Sequence, residues 1–358
     1  MKITALETKK LPIKLKGEFK IAFTSIGMAE NVLLRIDTDE GISGYGEAAP
    51  FVPVTGETAE GVLAALELLR PGLLGRDPFG LDTIHALMDT ALHGNSSAKC
   101  AVDLALYDII GKAAGKPVYR ILGGENGLVQ NGATIGIAEP QEMAREARYY
   151  VEERGYRIIK IKVGLEPQRD LEALRLIRQA VGDQVRLRVD ANQGYTITGA
   201  IEALEGFAAL GVDVAEQCLP DWNLEGTAQL RSKIRGIDLM LDESLHSPHD
   251  AARACRIGAA DRFNIKLMKC GGLYPGSQIS AIAASFGLRC MVGCMLETRI
   301  ALTAGLSLVA ARGNITDADC DSFLFFDEKQ TGVTGGFTVE GDMFRLSEEG
   351  GLGVTVDF

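Results

Sequence analysis

Two lysines, Lys160 and Lys162, stand two positions apart in an aliphatic segment that spans residues 158–163. Side chains of a β-strand alternate between its faces, so both lysines share one face and three aliphatic residues share the other. If the aliphatic face packs under helices, desolvation and mutual repulsion lower the pKa of the lysines from about 10.4. A lysine with a lowered pKa can act as a base near neutral pH. The competing interpretation, a surface strand with solvated lysines, leaves an aliphatic face uncovered.

Three acidic residues, Asp190, Glu216 and Asp242, each end a short β-rich segment, and their spacing along the chain is nearly regular. One polar group per strand–helix unit is typical of a barrel whose site lies at the carboxyl ends of its strands. Converging carboxylates are ligands that suit Mg²⁺. Any one of these acids could equally be a helix N-cap, but three at a similar register are harder to explain that way. The pattern predicts a magnesium site.

A further lysine, Lys266, ends a β-rich segment several units beyond Lys162. Strands on opposite sides of a barrel face each other across its mouth. A substrate held between Lys162 and Lys266 has a base on each face of its α-carbon, so the predicted chemistry is proton removal and return with inversion.

Lys269 is three positions beyond Lys266, so in a continued strand its side chain points to the opposite face, which predicts a solvated charge at the rim of the barrel. His246 and His249 lack zinc-ligand spacing and are assigned to a loop and helix start.

The first 125 residues carry strand signals, including a turn over Asp37–Gly41, followed by helical periodicity over residues 58–74 and 96–122. The second helical segment ends at Gly115 and Pro117. From about Val129 onward, short β-rich segments alternate with amphipathic helical ones, which predicts a parallel sheet with helical crossovers. The regular placement of polar residues favours a closed barrel over an open sheet.

The 358-residue chain has a formal net charge of −11, which argues against a nucleic-acid partner because such proteins present a basic field to phosphates. The longest apolar stretch, Ile300–Ala311, is shorter than a bilayer span and predicts a buried helix. The amino terminus lacks the apolar core of an export signal. Seven scattered cysteines predict reduced, packed thiols. We expect a cytoplasmic protein without a membrane or nucleic-acid partner.

The chain resembles the enolase superfamily, and within it the dipeptide epimerases of the muconate-cycloisomerase-like subgroup. The resemblance spans nearly the whole chain and rests on the segments IKIKVG, VDAN, EQ at 216–217, LDES, NIKLMKCGG and GCMLET, together with FKIAFTSIGMAENV and PFVPVTGET near the amino terminus. Cys218 departs from the family, in which proline usually follows EQ. That difference concerns the local backbone rather than the identity of a ligand.

The resemblance implies an α/β fold, a (β/α)7β modified TIM barrel over residues 126–324, with an α+β capping domain over residues 1–125 that residues 325–358 complete. It implies Mg²⁺ on Asp190, Glu216 and Asp242. It also implies Lys162 and Lys266 as the catalytic acid/base pair. Lys160 is expected to contact the substrate carboxylate and to tune Lys162.

The resemblance also indicates the substrate. Asp319 and Asp321 match the Asp-x-Asp that receives the free α-ammonium of a dipeptide, although alone they could be solvated acids of a turn. Relatives that act on Ala-Glu carry an arginine where this chain has Thr24. Phe51, Val52, Val54 and Leu296 supply apolar surface, so we expect an L,L-dipeptide with a hydrophobic second residue. Further substrate-binding positions are expected at Thr134, Cys294, Met295 and Leu296.

Two other functions stay open at this point. N-succinylamino acid racemases and o-succinylbenzoate synthases use the same lysines and metal, but their substrates have no ammonium for Asp319 and Asp321. A non-catalytic metabolite-binding relative is the second alternative, and the complete set of catalytic residues argues against it. The sequence also leaves the oligomeric state open, with a closed homo-oligomer as one possibility.

Overall fold

The computed structural model describes residues 1–358 and begins with an antiparallel sheet covered by helices, which we call the cap. The turn predicted over Asp37–Gly41 joins the second and third strands, and Gly41 adopts φ +76°, which glycine tolerates without strain. The strands of the cap pair in chain order and are β1 (Ile3–Ile21), β2 (Thr24–Thr38) and β3 (Ser43–Ala48). Its helices are α1 (Val52–Thr55), α2 (Ala59–Leu73), α3 (Leu81–Ala91), α4 (Ser96–Ala114) and α5 (Val118–Ile121).

Eight parallel strands form the barrel and pair in chain order. A backbone hydrogen bond of 3.1 Å from Gly132 N to Ala318 O joins the last strand to the segment before the first. After β4 (Leu128–Gln130), the barrel strands are β5 (Ala133–Ile135), β6 (Ile158–Lys162), β7 (Arg186–Asp190), β8 (Val212–Glu216), β9 (Asp238–Leu241), β10 (Arg262–Lys266), β11 (Arg289–Gly293) and β12 (Ile315–Asp319).

Seven helical crossovers connect the eight strands, so the predicted (β/α)7β barrel is confirmed. One crossover, between β10 and β11, contains two helices. The crossover helices are α6 (Pro140–Glu152), α7 (Pro167–Val181), α8 (Ile197–Ala209), α9 (Leu224–Lys233), α10 (Pro248–Ile257), α11 (Leu267–Cys270), α12 (Leu273–Ser285) and α13 (Arg299–Ala311). Helix α13 contains the predicted apolar stretch, and all of its residues from Ile300 to Leu308 are buried, as the prediction of a buried helix requires.

The barrel interior is layered along its axis. Near the amino-terminal ends of the strands, Asp317 accepts hydrogen bonds from Arg186, Arg188 and Arg262 at 3.0, 2.7 and 2.8 Å. Above this layer, Val214, Met240 and Met291 form a small apolar cluster. The lysines and carboxylates lie beyond it, at the carboxyl ends of the strands.

The last residues of the chain contact both parts of the molecule. Strand β13 (Val333–Gly335) pairs with β16 (Val354–Val356), whereas β14 (Phe337–Glu340), β15 (Met343–Leu346) and β4 form a separate antiparallel sheet. Gly351 forms a bridge with Pro117 of the cap. The division of the chain at residues 125 and 325 stays a prediction.

All seven cysteines are free thiols, and five of them are buried, which agrees with the predicted packed thiols. None of the helices has both the length and the apolar character that crossing a membrane requires.

The three arginines that donate to Asp317 allow a prediction of how much this carboxylate contributes to the free energy of unfolding. Replacing Asp317 by Asn leaves the buried guanidinium groups without their counter-charge, which costs about 3 kcal/mol at pH 7. The arginines hold the pKa of Asp317 below its usual range against the opposing effect of burial. The contribution of this carboxylate is therefore present above its unfolded pKa of about 4 and is lost as the pH falls through its folded pKa.

Urea unfolding measured between pH 2 and pH 8, a range that extends below the unfolded pKa of about 4, checks this prediction. The matched control is Asp213→Asn, because Asp213 pairs with Arg186 at the partly exposed rim and is expected to contribute less than about 1 kcal/mol. Equal destabilisation by the two substitutions contradicts the assignment of Asp317 as the central counter-charge.

Candidate active site

A cavity of about 450 Å³ lies between the cap and the carboxyl ends of the barrel strands. Two cap segments border it, residues 19–31 and residues 49–59. The barrel closes it from below. The residues of the predicted site that line the cavity are Thr24, Thr134, Lys160, Lys162, Asp242, Lys266, Cys294, Met295, Leu296, Asp319 and Asp321.

The three predicted metal ligands meet beside this cavity, and of the three only Asp242 lines it. Asp190 ends β7, Glu216 ends β8 and Asp242 directly follows β9. One carboxylate oxygen from each lies within 4.8 Å of the other two, and each residue is at most 1% exposed. The parallel register brings these positions together because it aligns the carboxyl ends of neighbouring strands.

The donor set fits a hard divalent cation. Glu216 Oε2 and Asp242 Oδ1 are buried without a hydrogen-bond partner. Lys160 Nζ lies 2.9 Å from Glu216 Oε2 but outside hydrogen-bonding geometry. Burial raises the pKa of Glu216 to about 8, and the neighbouring carboxylates add to this effect. Lysine ammonium groups lie beside both oxygens but do not satisfy them by hydrogen bonds. Three buried carboxylates with oxygens this close together suit the ligand set of a hard divalent cation.

The two predicted acid/base lysines stand on opposite sides of the barrel. Lys162 ends β6 and Lys266 ends β10, four strands apart among eight. Lys162 Nζ donates to Asp190 Oδ2 at 2.6 Å and to Asn192 Oδ1 at 3.0 Å. Lys266 Nζ donates to Asp242 Oδ2 at 2.7 Å. Each ammonium is therefore fixed beside a carboxylate and borders the same cavity.

The expectation of a lowered pKa is wrong for Lys160, and the pKa of Lys266, for which no lowering was predicted, moves in the same direction. Burial acts to lower both values, as expected, but surrounding carboxylates outweigh it and raise the pKa of each lysine above its usual value. Lys160 Nζ lies 3.0 Å from Asp190 Oδ2 and 2.7 Å from Asp319 Oδ2. Carboxylates at the ends of four other strands supply this negative charge, and strand periodicity within β6 gives no sign of them.

Asp319 and Asp321 lie side by side at the end of β12. Thr134 holds both, because its hydroxyl donates to Asp319 Oδ1 at 3.0 Å and its N–H donates to Asp321 Oδ2 at 2.6 Å. Burial raises the pKa of Asp321 to about 7, and the charge of Asp319 adds to this effect. Two buried carboxyl groups that border a cavity suit a cationic group of a ligand.

The upper part of the cavity is largely apolar. Thr24 lies in the lining, where the neighbouring side chains come from Phe23 and Ile26, and the lining contains no arginine. Glu57 borders the cavity, but its carboxylate accepts hydrogen bonds from Ser97 N, Ser97 Oγ and Ala98 N at the start of α4. It is therefore already engaged by the cap.

The prediction for Lys269 is wrong. Lys269 is 1% exposed, and its Nζ lies 2.5 Å from Asp242 Oδ1. Residues 267–270 form the short helix α11, so the alternation of a strand does not continue beyond Lys266. The helical turn directs Lys269 back toward Asp242 instead of toward solvent.

Several polar residues of the site were not predicted. Asn192 contacts Lys162 and also donates to Glu243 Oε1 at 3.0 Å. Gln217 Oε1 accepts a hydrogen bond from Asp242 N at 2.9 Å. Asn264 donates to Glu216 Oε1 at 2.8 Å. Three of them occur in the segments VDAN, EQ and LDES, next to the assigned acids. Their position beside a metal ligand was the available signal.

The chain matches two family descriptions that together span most of its length. Residues 3–123 match the N-terminal domain of the mandelate racemase / muconate lactonizing enzyme family, and residues 142–358 match the enolase C-terminal domain-like family. A hydrophobic dipeptide epimerase from Enterococcus faecalis is 39% identical over 99% of this chain and 100% of its own length. An N-succinyl-L-Arg/Lys racemase from Bacillus cereus is 34% identical over 100% of this chain and 96% of its own length.

A solved structure shares both the cap and the barrel. The dipeptide epimerase of Enterococcus faecalis V583, complexed with Mg and the dipeptide L-Leu-L-Tyr, superimposes with a TM-score of 0.96 at 38% identity. The match covers 99% of this chain and 100% of the other. The chain therefore belongs to the enolase superfamily, with the N-terminal and C-terminal domains of its mandelate racemase / muconate lactonizing enzyme family.

Proposed function

We propose that this protein is a dipeptide epimerase, an isomerase that inverts the α-carbon of the carboxyl-terminal residue of an L,L-dipeptide. The observation that carries the proposal is the pairing of Lys162 and Lys266 across one cavity that also contains Asp319 and Asp321. The similarity to a hydrophobic dipeptide epimerase over the full chain supports it. A barrel that holds only a metabolite has no need for two opposed lysines.

Asp190, Glu216 and Asp242 would hold Mg²⁺, as the close approach of their buried carboxylate oxygens supports. When bound, the cation offsets the negative charge of these carboxylates and of the enediolate that forms when the α-proton leaves. The magnesium complexes of related epimerases agree with this cofactor.

Lys162 and Lys266 each exchange a proton with one face of the α-carbon, so removal at one face and return at the other inverts the configuration. Asp190 and Asn192 orient the Lys162 ammonium, and Asp242 orients that of Lys266. Lys160, in the centre of the carboxylate cluster, binds the substrate carboxylate and tunes Lys162. Its interaction strengthens as charge develops on that group, which favours the transition state over the bound substrate.

Asp319 and Asp321 bind the free α-ammonium of the substrate, with Thr134 fixing their orientation. Cys294, Met295, Leu296 and Thr24 line the remaining cavity, which lacks an arginine to pair with an acidic side chain. The second residue of the dipeptide is therefore hydrophobic. The same two carboxyl groups disfavour an N-succinylated substrate, which has no ammonium.

We also propose a cytoplasmic location, on the basis of the free cysteines and the acidic composition. The same negative charge supports the absence of a nucleic-acid partner. A symmetric homo-oligomer and a cap formed by residues 1–125 and 325–358 are further parts of the proposal.

The two lysines are tested by Lys162→Ala and Lys266→Ala in D₂O. Each variant is expected to lose epimerisation by about 10³-fold or more, because one face of the α-carbon loses its acid/base group. In each variant the remaining lysine still faces one side of the α-carbon. One variant should therefore exchange the α-proton of the L,L-dipeptide with deuterium, and the other variant should exchange the α-proton of the L,D-dipeptide. Mass spectrometry and chiral chromatography measure the two outcomes. Lys233→Ala, an exposed change on α9, is the control, and near-normal epimerisation by either active-site variant contradicts the assignment.

The metal site predicts a pH dependence of Mg²⁺ binding. The pKa of Glu216 is raised to about 8, and a carboxylate must lose its proton to bind the cation. The apparent Mg²⁺ affinity measured by calorimetry should therefore rise by about tenfold per pH unit below pH 8 and level off above it. Glu216→Gln should remove this dependence together with most of the affinity. An affinity that is constant from pH 6 to pH 9 contradicts the raised pKa of Glu216.

Recognition of the ammonium predicts the effect of Asp319→Asn and Asp321→Asn. Each should lower kcat/KM for an L,L-dipeptide on the order of 100-fold, because the buried cation of the substrate loses a counter-charge. Steady-state kinetics gives these constants, and Asp221→Asn, at the exposed Asp221, serves as the control. Retention of wild-type kinetics by both variants would place the ammonium elsewhere.

A further inference from the structure

Asn31 connects the cap to a loop of the barrel that borders the cavity. The loop, Cys294–Thr298, lies between β11 and α13 and has no regular secondary structure, and we call it the wall loop. Its half-buried Met295 and Leu296 line the cavity. Asn31 Nδ2 donates to Leu296 O at 2.8 Å and to Glu47 Oε1 at 2.7 Å. One buried amide group therefore contacts both the wall loop and the cap.

Glu47 continues this connection. It is fully buried in β3 and accepts hydrogen bonds from Thr298 N at 2.8 Å, from Thr298 Oγ1 at 2.7 Å and from Ala301 N at 3.2 Å. These donors lie at the start of α13, where backbone N–H groups lack partners within the helix. A carboxylate of the cap thus fixes the end of a loop that belongs to the barrel.

Asn31 also marks a boundary within β2. The residues before it, 24–30, are exposed or half-buried and border the cavity, whereas the four residues from Asn31 onward are buried. We call residues 19–30 the lid hairpin. Asn31 directly follows the lid hairpin in β2, and its side chain contacts the wall loop, so this residue fixes the position of one segment relative to the other.

The amide of Asn31 has an unusual feature. Both of its partners are acceptors, so the NH₂ group must face them and the orientation of the amide is fixed. Its Oδ1 is then buried without a hydrogen-bond partner. A buried acceptor without a partner lowers stability, so stability alone does not explain an asparagine at this position.

We propose that Asn31 is a positioning residue that sets the width of the apolar part of the cavity by fixing the wall loop against the lid hairpin through Leu296 and Glu47. The inference rests on the proposed epimerase function and deepens it. Asn31 acts through the position of Leu296 and contacts no reacting atom. It therefore affects the selection among dipeptides by the size of the second residue.

The test compares Asn31→Ala, Leu296→Ala and the double variant on L-Ala-L-Phe and L-Ala-L-Ala, with deuterium uptake giving kcat and KM. Asn31→Ala should raise KM for L-Ala-L-Phe about fivefold with a smaller change in kcat and a smaller effect on L-Ala-L-Ala. In the Leu296→Ala background, the same change should alter the preference between the two dipeptides by less than about twofold, because the wall side chain is already absent.

The matched control is Asn314→Ala. Asn314 also joins two segments through its amide, to Ser280 O and Ser280 Oγ, but it lies at the amino-terminal end of β12, away from the cavity. Three outcomes overturn the proposal. Asn31→Ala could affect both dipeptides equally, its effect on the preference could add fully to that of Leu296→Ala, or Asn314→Ala could change the preference by the same amount. If Asn31→Ala does not fold, Asn31→Ser, which can donate to only one of the two acceptors, should show an intermediate preference.

Hydrogen–deuterium exchange separates this proposal from the proposed function. Asn31→Ala should accelerate exchange of the backbone amides of residues 294–301 about fivefold or more without changing residues 267–285. A wild-type protein that is inactive on every dipeptide refutes the epimerase function, but the exchange of the wall loop still tests the connection. Unchanged exchange in residues 294–301 overturns the proposal even if the enzyme is active.

Discussion

The structure depends on the neutralisation of buried charge inside the barrel. Parallel strands bring their polar end residues to one place, and there Lys160 lies within 3.0 Å of Asp190, Glu216 and Asp319. Buried ions are tolerated only when they are paired. Removing one member of this cluster therefore leaves another charge buried without a partner. The cluster therefore fixes the position of each reactive group. It also explains why the carboxylates raise the pKa of Lys160 despite burial.

The barrel and the cap contribute different properties to the site. The barrel strands hold Lys162, Lys266 and the carboxylates on rigid elements, and the apolar cluster of Val214, Met240 and Met291 separates them from the arginine layer around Asp317. The cap contributes the apolar segments that cover the cavity. Asn31 and Glu47 join the two parts. In the proposed function, the reaction chemistry therefore lies in the barrel, whereas substrate selection depends on the cap together with the barrel residues that border the cavity.

Much of this arrangement could be predicted from the sequence because it follows from local periodicity. The period of two in β6 placed Lys160 and Lys162 together, and the regular strand ends brought Asp190, Glu216 and Asp242 into one cluster. Helix α3 lies outside the predicted helical segments. The burial of Lys269 was predicted wrongly because a helical turn follows β10, which strand parity cannot describe. The direction of the Lys160 pKa shift was predicted wrongly because it depends on carboxylates from other strands.

The most direct test of the central claim is deuterium incorporation at the α-carbon by the wild-type protein, with Mg²⁺ in D₂O, across a library of L,L-dipeptides and N-succinylamino acids. The buried pair Asp319 and Asp321 and the apolar lining predict uptake only in dipeptides, and most rapidly in those with a hydrophobic second residue. Uptake confined to N-succinylamino acids would contradict the assignment of these two carboxyl groups. Absence of uptake in both sets would contradict the proposed proton transfer itself.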